Sequence, residues 1–463
     1  MLTPGLDFGM LDAAPSEQPA STGTVYIETY GCQMNVSDSE LMLGTLAAHG
    51  YTPVEQPAGA DVILVNTCAI RDHAEQRVVG RVGELRRDMK PGAVLGVTGC
   101  MAQRLGERLL KTNKHVSLVI GPDGYRALPA LIEGAREGQR TIATTFDLEE
   151  HYEDFTPRRF DKVKAWIPVQ RGCDYRCTYC IVPTTRGSER SRRLNEVVRE
   201  VRDVVASGMS EVVLLGQTVN SYNDGEHGFA DLLRAVGAVP GVRRLRFTSP
   251  HPNDFSDAVI EAMATVPAVC EHVHLPMQSG SSRVLKRMLR RYTREGYLDC
   301  VARLRAAIPG ASLTTDIIVG FPGETDEDFQ ETLGVVREVG FADGFTFKFS
   351  PREGTPATRM PESLTVPDEV ASERLATLVE EMRGMSRAAN AQQIGRRCEV
   401  LVEKEARRGG DLLQARTRDF KTVLIPGTTD MLGKYFMVEL TGTTGSTFTG
   451  QIIPQRAALP LAG

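Results

Sequence analysis

Between residues 24 and 140 short apolar runs alternate with stretches whose apolar positions recur every three or four residues. The runs at 25–29, 61–66, 93–98 and 117–120 predict strands, and the stretches at 39–48, 74–89 and 127–137 predict helices. Strands separated by helices imply a parallel sheet with crossover connections. In open sheets of this kind ligands sit beyond the carboxyl ends of the strands. Between 165 and 390 a strand-then-helix unit repeats, with strands at 166–170, 211–215, 245–248, 272–275, 312–319 and 345–349. Six such units predict a partial (βα)6 barrel rather than the closed eight-stranded form. After 391 the texture changes to β-rich runs at 399–402, 412–417, 422–425, 435–440 and 448–452. Gly-containing turns separate several of them, which suits a small five-stranded, OB-like barrel over 391–455. The chain is therefore read as α/β with a terminal β-barrel. Residues 141–164 break the periodicity and switch from acidic to basic, as a linker would. Residues 1–23, rich in Pro, Ala, Ser and Gly, read as a flexible lead-in, and 456–463 as a tail.

A chain of 463 residues is too long for one core, in keeping with three domains. With 41% hydrophobic and 24% charged residues it has the composition of ordinary soluble protein. It offers no apolar run of membrane-spanning length and no basic-then-apolar start. The expectation is a cytoplasmic, membrane-free monomer with reduced thiols. A net charge of −5 argues against polyanion binding by the whole molecule and leaves room for local basic surfaces.

The nine cysteines carry the chemistry. Cys173, Cys177 and Cys180 stand as C-x3-C-x2-C just after the run at 166–170. Their density is far too low for a disulfide framework. Structural zinc usually takes four closed ligands from two paired half-sites, and no second C-x2-C or H-x3-H accompanies this one. Three close thiolates can hold three corners of a cubane iron–sulfur cluster and leave one iron open to chelate a small ligand.

Cys32, Cys68 and Cys100 each follow the carboxyl end of a predicted strand, so residues far apart in sequence converge on one sheet edge. Gly31 and Gly99 would let backbone approach a bulky group there. Taken singly, each could be a buried core thiol. Equivalent topological positions for all three favour a second cluster with one open iron.

Residues at the carboxyl ends of the barrel strands, Gly216 and Gln217, Gln278, and Asp316 with Gly320, are candidate site residues. On a helix running from 283 to 294, Leu285, Met288, Leu289 and Tyr292 form one stripe. Arg283, Lys286, Arg287, Arg290, Arg291 and Arg294 fall on the other side, a face suited to phosphates. Arg186, Arg190, Arg192 and Arg193 form a second basic group. In the terminal barrel nine Lys or Arg face seven Asp or Glu, a net +2, and Arg416, Arg418 and Lys421 surround Phe420 as RNA-binding surfaces often require.

The loop with Tyr179 as the aromatic of C-x3-C-x-aromatic-C resembles the signature of radical S-adenosylmethionine enzymes. The three parts in this order, over about residues 24–455, resemble the methylthiotransferase family of those enzymes. Thr29-Tyr-Gly-Cys-Gln-Met-Asn35, Asp38-Ser-Glu40 and Leu214-Leu-Gly-Gln-Thr-Val-Asn-Ser-Tyr222 are similar to the branch that acts on isopentenyladenosine in tRNA. The branch that modifies a ribosomal protein tends to carry Pro-Lys where Gln33-Met34 stand. Thr184 and Thr218 occupy places where an aromatic and an Asn are expected.

The resemblance implies two [4Fe–4S] clusters and two S-adenosylmethionine roles, one donating methyl and one generating a 5′-deoxyadenosyl radical at Cys173, Cys177 and Cys180. The trio Cys32, Cys68 and Cys100 would carry the sulfur to be methylated and inserted. Tyr179, Gly216, Gln217 and Asp316 would contact S-adenosylmethionine, and the terminal barrel would be an RNA-binding TRAM domain. Implied partners are tRNA, an electron donor such as flavodoxin or ferredoxin, and sulfur- and cluster-supply proteins. Rival readings are a relative acting on threonylcarbamoyl-adenosine or a ribosomal protein, and a non-catalytic iron–sulfur RNA-binding protein.

Overall fold

The computed structural model describes residues 22–69, 72–407 and 410–454. The expected tail at 456–463, and all but the last two residues of the expected lead-in at 1–23, lie outside them.

The first unit is a six-stranded parallel sheet in the order β2-β1-β3-β4-β5-β6. Its strands are β1 (Gly23–Thr29), β2 (Tyr51–Pro53), β3 (Val62–Thr67), β4 (Val94–Gly99), β5 (Leu118–Ile120) and β6 (Thr141–Ala143). Every residue of β3 and β4 is buried, as expected of central parallel strands covered on both faces. Helices α1 (Gln33–Ala48) and α5 (Leu128–Arg136) cover one face through Leu41, Met42, Leu46, Leu128 and Ile132. On the other face α2 (Asp72–Leu85), α3 (Cys100–Leu105) and α4 (Glu107–Thr112) bring Val78, Val82, Met101 and Leu109. Each fully buried aliphatic side chain contributes about 1.5–3 kcal/mol. The strand order reverses between β1 and β3, which creates a crevice at their carboxyl ends.

Residues 141–164 are not a free linker, because β6 pairs in parallel with β5 and extends the sheet. Beyond it Tyr152 is buried, and Phe155 and Phe160 pack against the same core as α1. Thr141-Ile-Ala143 was too short a run to read as a strand.

The second unit contains six parallel strands in two runs, β11-β10-β7 and β12-β13-β14. They are β7 (Lys164–Pro168), β10 (Glu211–Leu215), β11 (Arg244–Phe247), β12 (His272–His274), β13 (Ser312–Val319) and β14 (Asp343–Lys348). Between β7 and β10 the short strands β8 (Gln170–Arg171) and β9 (Arg190–Ser191) form an antiparallel clasp, which encloses α6 (Val182–Arg186). A parallel bridge between Leu245 and Val269 joins the two runs into an open barrel. Along β13, Leu313, Thr315, Ile317 and Val319 are buried and alternate with half-buried Thr314, Asp316 and Ile318. Leu313, Ile317 and Val319 belong to the core shared with the surrounding helices, so the second set faces the lumen.

The helix expected across 283–294 is two. One helix spans Ser282–Arg287, Leu289 takes φ 55° and is 52% exposed, and the next helix runs Arg294–Ala307. The helical spacing of leucines continued through a turn that breaks it.

The third unit is a closed barrel in the order β15-β16-β17-β19-β18. Its strands are β15 (Arg397–Glu405), β16 (Leu412–Thr417), β17 (Thr422–Pro426), β18 (Tyr435–Thr443) and β19 (Thr447–Ile452), with only β17 and β19 parallel. The barrel caps the amino ends of the central strands. Arg244 donates to the carbonyl of Arg416 at 2.7 Å, and Arg246 to those of Thr417 and Arg418 at 2.9 and 2.8 Å. Phe420, with φ 69°, stacks on His272 at 4.6 Å between ring centres.

That docking corrects the expected RNA surface. Arg416 pairs with Glu403 at 3.1 Å. Arg418 reaches Glu271 at 2.9 Å and the carbonyls of Pro267 and Val269, and Lys421 reaches the carbonyl of Ala342 at 3.5 Å. Arg418 and Lys421 thus tie the barrel to the central unit, whereas the Arg416 side chain is neutralised within the barrel by Glu403 on the adjacent strand. Their acidic and carbonyl partners come from distant sequence, which a local charge pattern does not reveal.

Candidate iron–sulfur centres and their shared interface

Register places the first trio. Thr29 pairs with Asn66, and Asn66 with Thr98, so these three residues lie abreast across β1, β3 and β4. Cys32 follows three residues later in its strand's turn, and Cys68 and Cys100 two residues later in theirs. All three therefore gather at the crevice where the strand order reverses. Gly31 (φ 132°) and Gly99 (φ 87°) have the conformations glycine favours. A Cβ on Gly31 would lie 2.5 Å from Cys68 Cβ, and one on Gly99 2.4 Å from Asn66 Oδ1. A buried amide pair fixes the turns: Asn66 Nδ2 donates to the carbonyl of Asn35 at 2.7 Å, and Asn35 Nδ2 to the carbonyl of Thr67 at 3.1 Å.

Cys32 caps the amino end of α1. Its thiol is pulled down to about 6, first by a hydrogen bond with Cys68, against the cost of burial, and with help from the Arg186 charge. Burial pushes Cys100 up, and the same arginine opposes that shift.

The second trio lies on the loop inside the β8–β9 clasp. The Cys173 N–H donates to the carbonyl of Gly187 at 3.2 Å, and its Sγ lies 3.2 Å from Thr218 Oγ1. Cys177 Sγ accepts from Arg290 Nη1 at 3.4 Å. Burial raises Cys173 and pushes Cys180 up to about 12. In each trio a guanidinium thus opposes the cost of burying a thiolate, Arg186 at Cys32 and Cys100 and Arg290 at Cys180. Among the described residues no three Cys, His, Asp or Glu side chains close to the spacing of a single-ion site. A cubane holds each ligating sulfur on its own iron corner, which needs a wider set.

The two trios share an interface. Cys100 packs against Ala69 and against Ile181, the residue after Cys180. Arg186 of α6 donates from Nε to Cys100 Sγ at 3.2 Å and from Nη2 to Asp38 at 2.7 Å. Asp38, on α1, also accepts from Arg171 at 3.1 Å. Arg190 forms a two-pronged pair with Asp123 at 3.0 Å on each side, and Arg192 pairs with Glu200 at 2.6 Å. The expected basic group of Arg186, Arg190 and Arg192 is therefore a set of buried clasps, while Arg193 is exposed.

The basic face at 283–294 dissolves in the same way. Arg283 pairs with Asp328, Arg287 donates to the carbonyls of Pro322 and Gly323 at 3.2 and 3.0 Å, and Arg294 lies 3.9 Å from Glu338. Arg290 turns inward to Cys177 and to Tyr292 Oη at 3.1 Å. Lys286 and Arg291 stay exposed, with Arg291 over the ring of Tyr175 at 5.2 Å.

The expected cofactor contacts ring the mouth and lumen. Gln170 Oε1 accepts from the N–H groups of Gln217 and Thr218 at 2.8 and 3.2 Å, which fixes the turn at Gly216. Gln217 Oε1 is buried with no hydrogen-bond partner, an acceptor left for a ligand. Asp316 lies 3.4 Å from His274 Nε2 on the lumen face. Tyr179 packs with Val284, Met288 and Phe321 below the loop. Sequence reasoning missed Arg171 and the clasp role of Asp38. The signal for Asp38 was the unbroken polar run Ser37–Glu40 within a helical stretch, which the structure buries whole; Arg171 carried no comparable signal.

Residues 24–121 match the model described as Uncharacterized protein family UPF0004, and residues 167–336 match the Radical SAM superfamily. A tRNA-2-methylthio-N(6)-dimethylallyladenosine synthase from Oceanobacillus iheyensis is 44% identical over 436 residues, 92% of this chain and 83% of that protein. The chain belongs to the methylthiotransferase family of radical S-adenosylmethionine enzymes. A synthase of the same name from Bacteroides thetaiotaomicron is 44% identical over 437 residues, spanning 92% of this methylthiotransferase and 95% of its relative. Among solved structures, the radical S-adenosylmethionine methyltransferase TsrM from Kitasatospora setae shares the fold, with a TM-score of 0.56 at 16% identity over 72% of this chain and 76% of that one. The cofactors of the methylthiotransferase are those of its family, [4Fe–4S] clusters and S-adenosylmethionine. No helix of the described residues is long and apolar enough to cross a membrane.

Proposed function

We propose that this chain methylthiolates carbon 2 of N6-isopentenyladenosine next to the anticodon of tRNA, with two [4Fe–4S] clusters and two molecules of S-adenosylmethionine. The observation that carries the reading is the contact of Cys100 with Ile181 and Arg186, which supports a site for the inserted sulfur beside the radical-enzyme loop. The names of the 44% identical relatives support the same substrate. Carbon 2 of an adenine is not electrophilic enough for ordinary sulfur attack and its C–H is not acidic, so substitution there calls for radical chemistry. When bound, the clusters and S-adenosylmethionine supply that one-electron chemistry, the sulfur and the methyl group.

The chain's own residues bind, orient and exclude water. Cys173, Cys177 and Cys180 would hold one cluster, with Arg290 and Thr218 against its ligating sulfurs. Cys32, Cys68 and Cys100 would hold the other. Gln217, through its unpaired carbonyl oxygen, and the turn at Gly216 would position S-adenosylmethionine, with Tyr179 supporting the loop from below and Asp316 in the lumen. Phe420 and its ring contact with His272 would close the lumen floor. The exposed cations Arg176 and Arg291 flank the Cys177 loop and would meet tRNA phosphates. An electron donor such as flavodoxin or ferredoxin, and proteins supplying sulfur and clusters, complete the cycle in the cytoplasm.

The test is anaerobic reaction of the loaded protein with isopentenyladenosine-containing tRNA, followed by nucleoside analysis. Formation of 2-methylthio-N6-isopentenyladenosine is the expected result. Modification of threonylcarbamoyl-adenosine or of a ribosomal protein instead, or tRNA binding without S-adenosylmethionine cleavage, would overturn it.

A further inference from the structure

Arg186 is 3% exposed, yet one of its three donor nitrogens, Nη1, has no hydrogen-bond partner. The other two are committed, Nε to Cys100 Sγ and Nη2 to Asp38. Asp38 is shared, because Arg171 Nη1 donates to its other oxygen at 3.1 Å. Two buried guanidinium groups therefore divide one carboxylate, and Tyr125 Oη, at 3.5 Å from Asp38, adds no charge. A buried surplus of positive charge calls for an anion close by. A [4Fe–4S] core with three thiolates carries a net charge of about −1, and an anionic sulfur on its fourth iron makes it more negative.

We propose that Arg186 is a positioning residue for the second cluster site: clamped by Asp38, it presents Nη1 to an anionic sulfur species, hydrosulfide or persulfide, at the corner that Cys32, Cys68 and Cys100 leave open. The inference rests on the reading that these three cysteines hold a cluster. It also makes that site a product of two domains, because Arg186 belongs to the central barrel and Asp38 to the first sheet.

The experiment uses the full-length chain carrying Cys173→Ala, Cys177→Ala and Cys180→Ala, loaded anaerobically so that only the second cluster is present. Iron and sulfide content, the reduction midpoint by EPR-monitored titration, and the perturbation of the EPR signal by added inorganic sulfide are compared with and without Arg186→Met and Arg186→Lys. The expected result is unchanged iron in Arg186→Met, a lower midpoint, and sulfide binding weakened roughly 10- to 100-fold, the loss of one charge-assisted hydrogen bond. Arg186→Lys should restore the midpoint but not the full sulfide affinity, since an ammonium cannot serve three partners in one plane. Unchanged midpoint and sulfide affinity in Arg186→Met would overturn the proposal. Should Arg186→Met fail to fold, sulfide affinity in Arg186→Lys decides: weakened, it sustains the role; equal to the parent, it removes it. A parent that takes up no iron at all would instead remove the underlying assignment of the three cysteines.

Discussion

The two cysteine trios are built in opposite ways. Cys173, Cys177 and Cys180 lie within eight consecutive residues of one clasped loop, whereas Cys32, Cys68 and Cys100 reach one another only because β1, β3 and β4 align in register. The first is local and depends on backbone hydrogen bonds within the loop and on Arg290. The second depends on the whole sheet and on an arginine from the neighbouring domain. Damage to the sheet or to the domain interface should therefore cost the second centre before the first.

The sharpest way to break the comparison is to remove one ligand from each side. Cys68→Ala should leave reductive cleavage of S-adenosylmethionine measurable as 5′-deoxyadenosine while lowering the methylthiolated nucleoside by more than about 1,000-fold, because cleavage and insertion use different centres. Cys177→Ala should abolish both, so equal loss of both products in the two variants would merge the trios into one function.

Next in size is Asp38→Ala, which leaves Arg171 and Arg186 buried without their carboxylate. It should cost about 3–5 kcal/mol of stability in denaturant unfolding and lower iron retention at the second centre more than at the first. Equal iron loss at both centres would contradict the asymmetry.

A pH effect follows from Glu40 on α1, beside Arg159 at 3.5 Å and Phe160. Burial pushes its carboxyl up to about 7, so between its unfolded value of about 4.5 and 7 the folded chain holds a proton that the unfolded chain has lost. Stability from this group is complete below about pH 4.5 and falls as pH rises through 7, by on the order of 1 kcal/mol per pH unit. Glu40→Gln should flatten that slope in unfolding curves from pH 5 to 8; an unchanged slope would exclude Glu40 as its source.

The smallest effect concerns the third domain. Arg418→Ala should destabilise docking by about 1 kcal/mol without changing the salt dependence of tRNA binding, since the side chain is engaged with Glu271. A reduced salt slope would return Arg418 to the RNA surface.

The two cysteine trios and the strands that carry them were legible in the sequence as candidate sites, because strand periodicity and a tight C-x3-C-x2-C spacing are local signals. The arginines were not legible as they act. Arg283, Arg290, Arg416 and Arg418 all read as solvent-facing cations, but Asp328, Cys177, Glu403 and Glu271 meet them only through tertiary packing. The break at Leu289 was hidden because its leucine spacing still fitted a helix, and β6 because three residues carry too little pattern.

The most direct test of two separately built centres is Mössbauer spectroscopy with iron counting on anaerobically loaded wild type and on the two triple Cys→Ala variants. The account predicts about eight irons in two [4Fe–4S] clusters for the wild type and about four in one cluster for either variant. Four irons in the wild type, with one triple variant losing all of them and the other none, would contradict it.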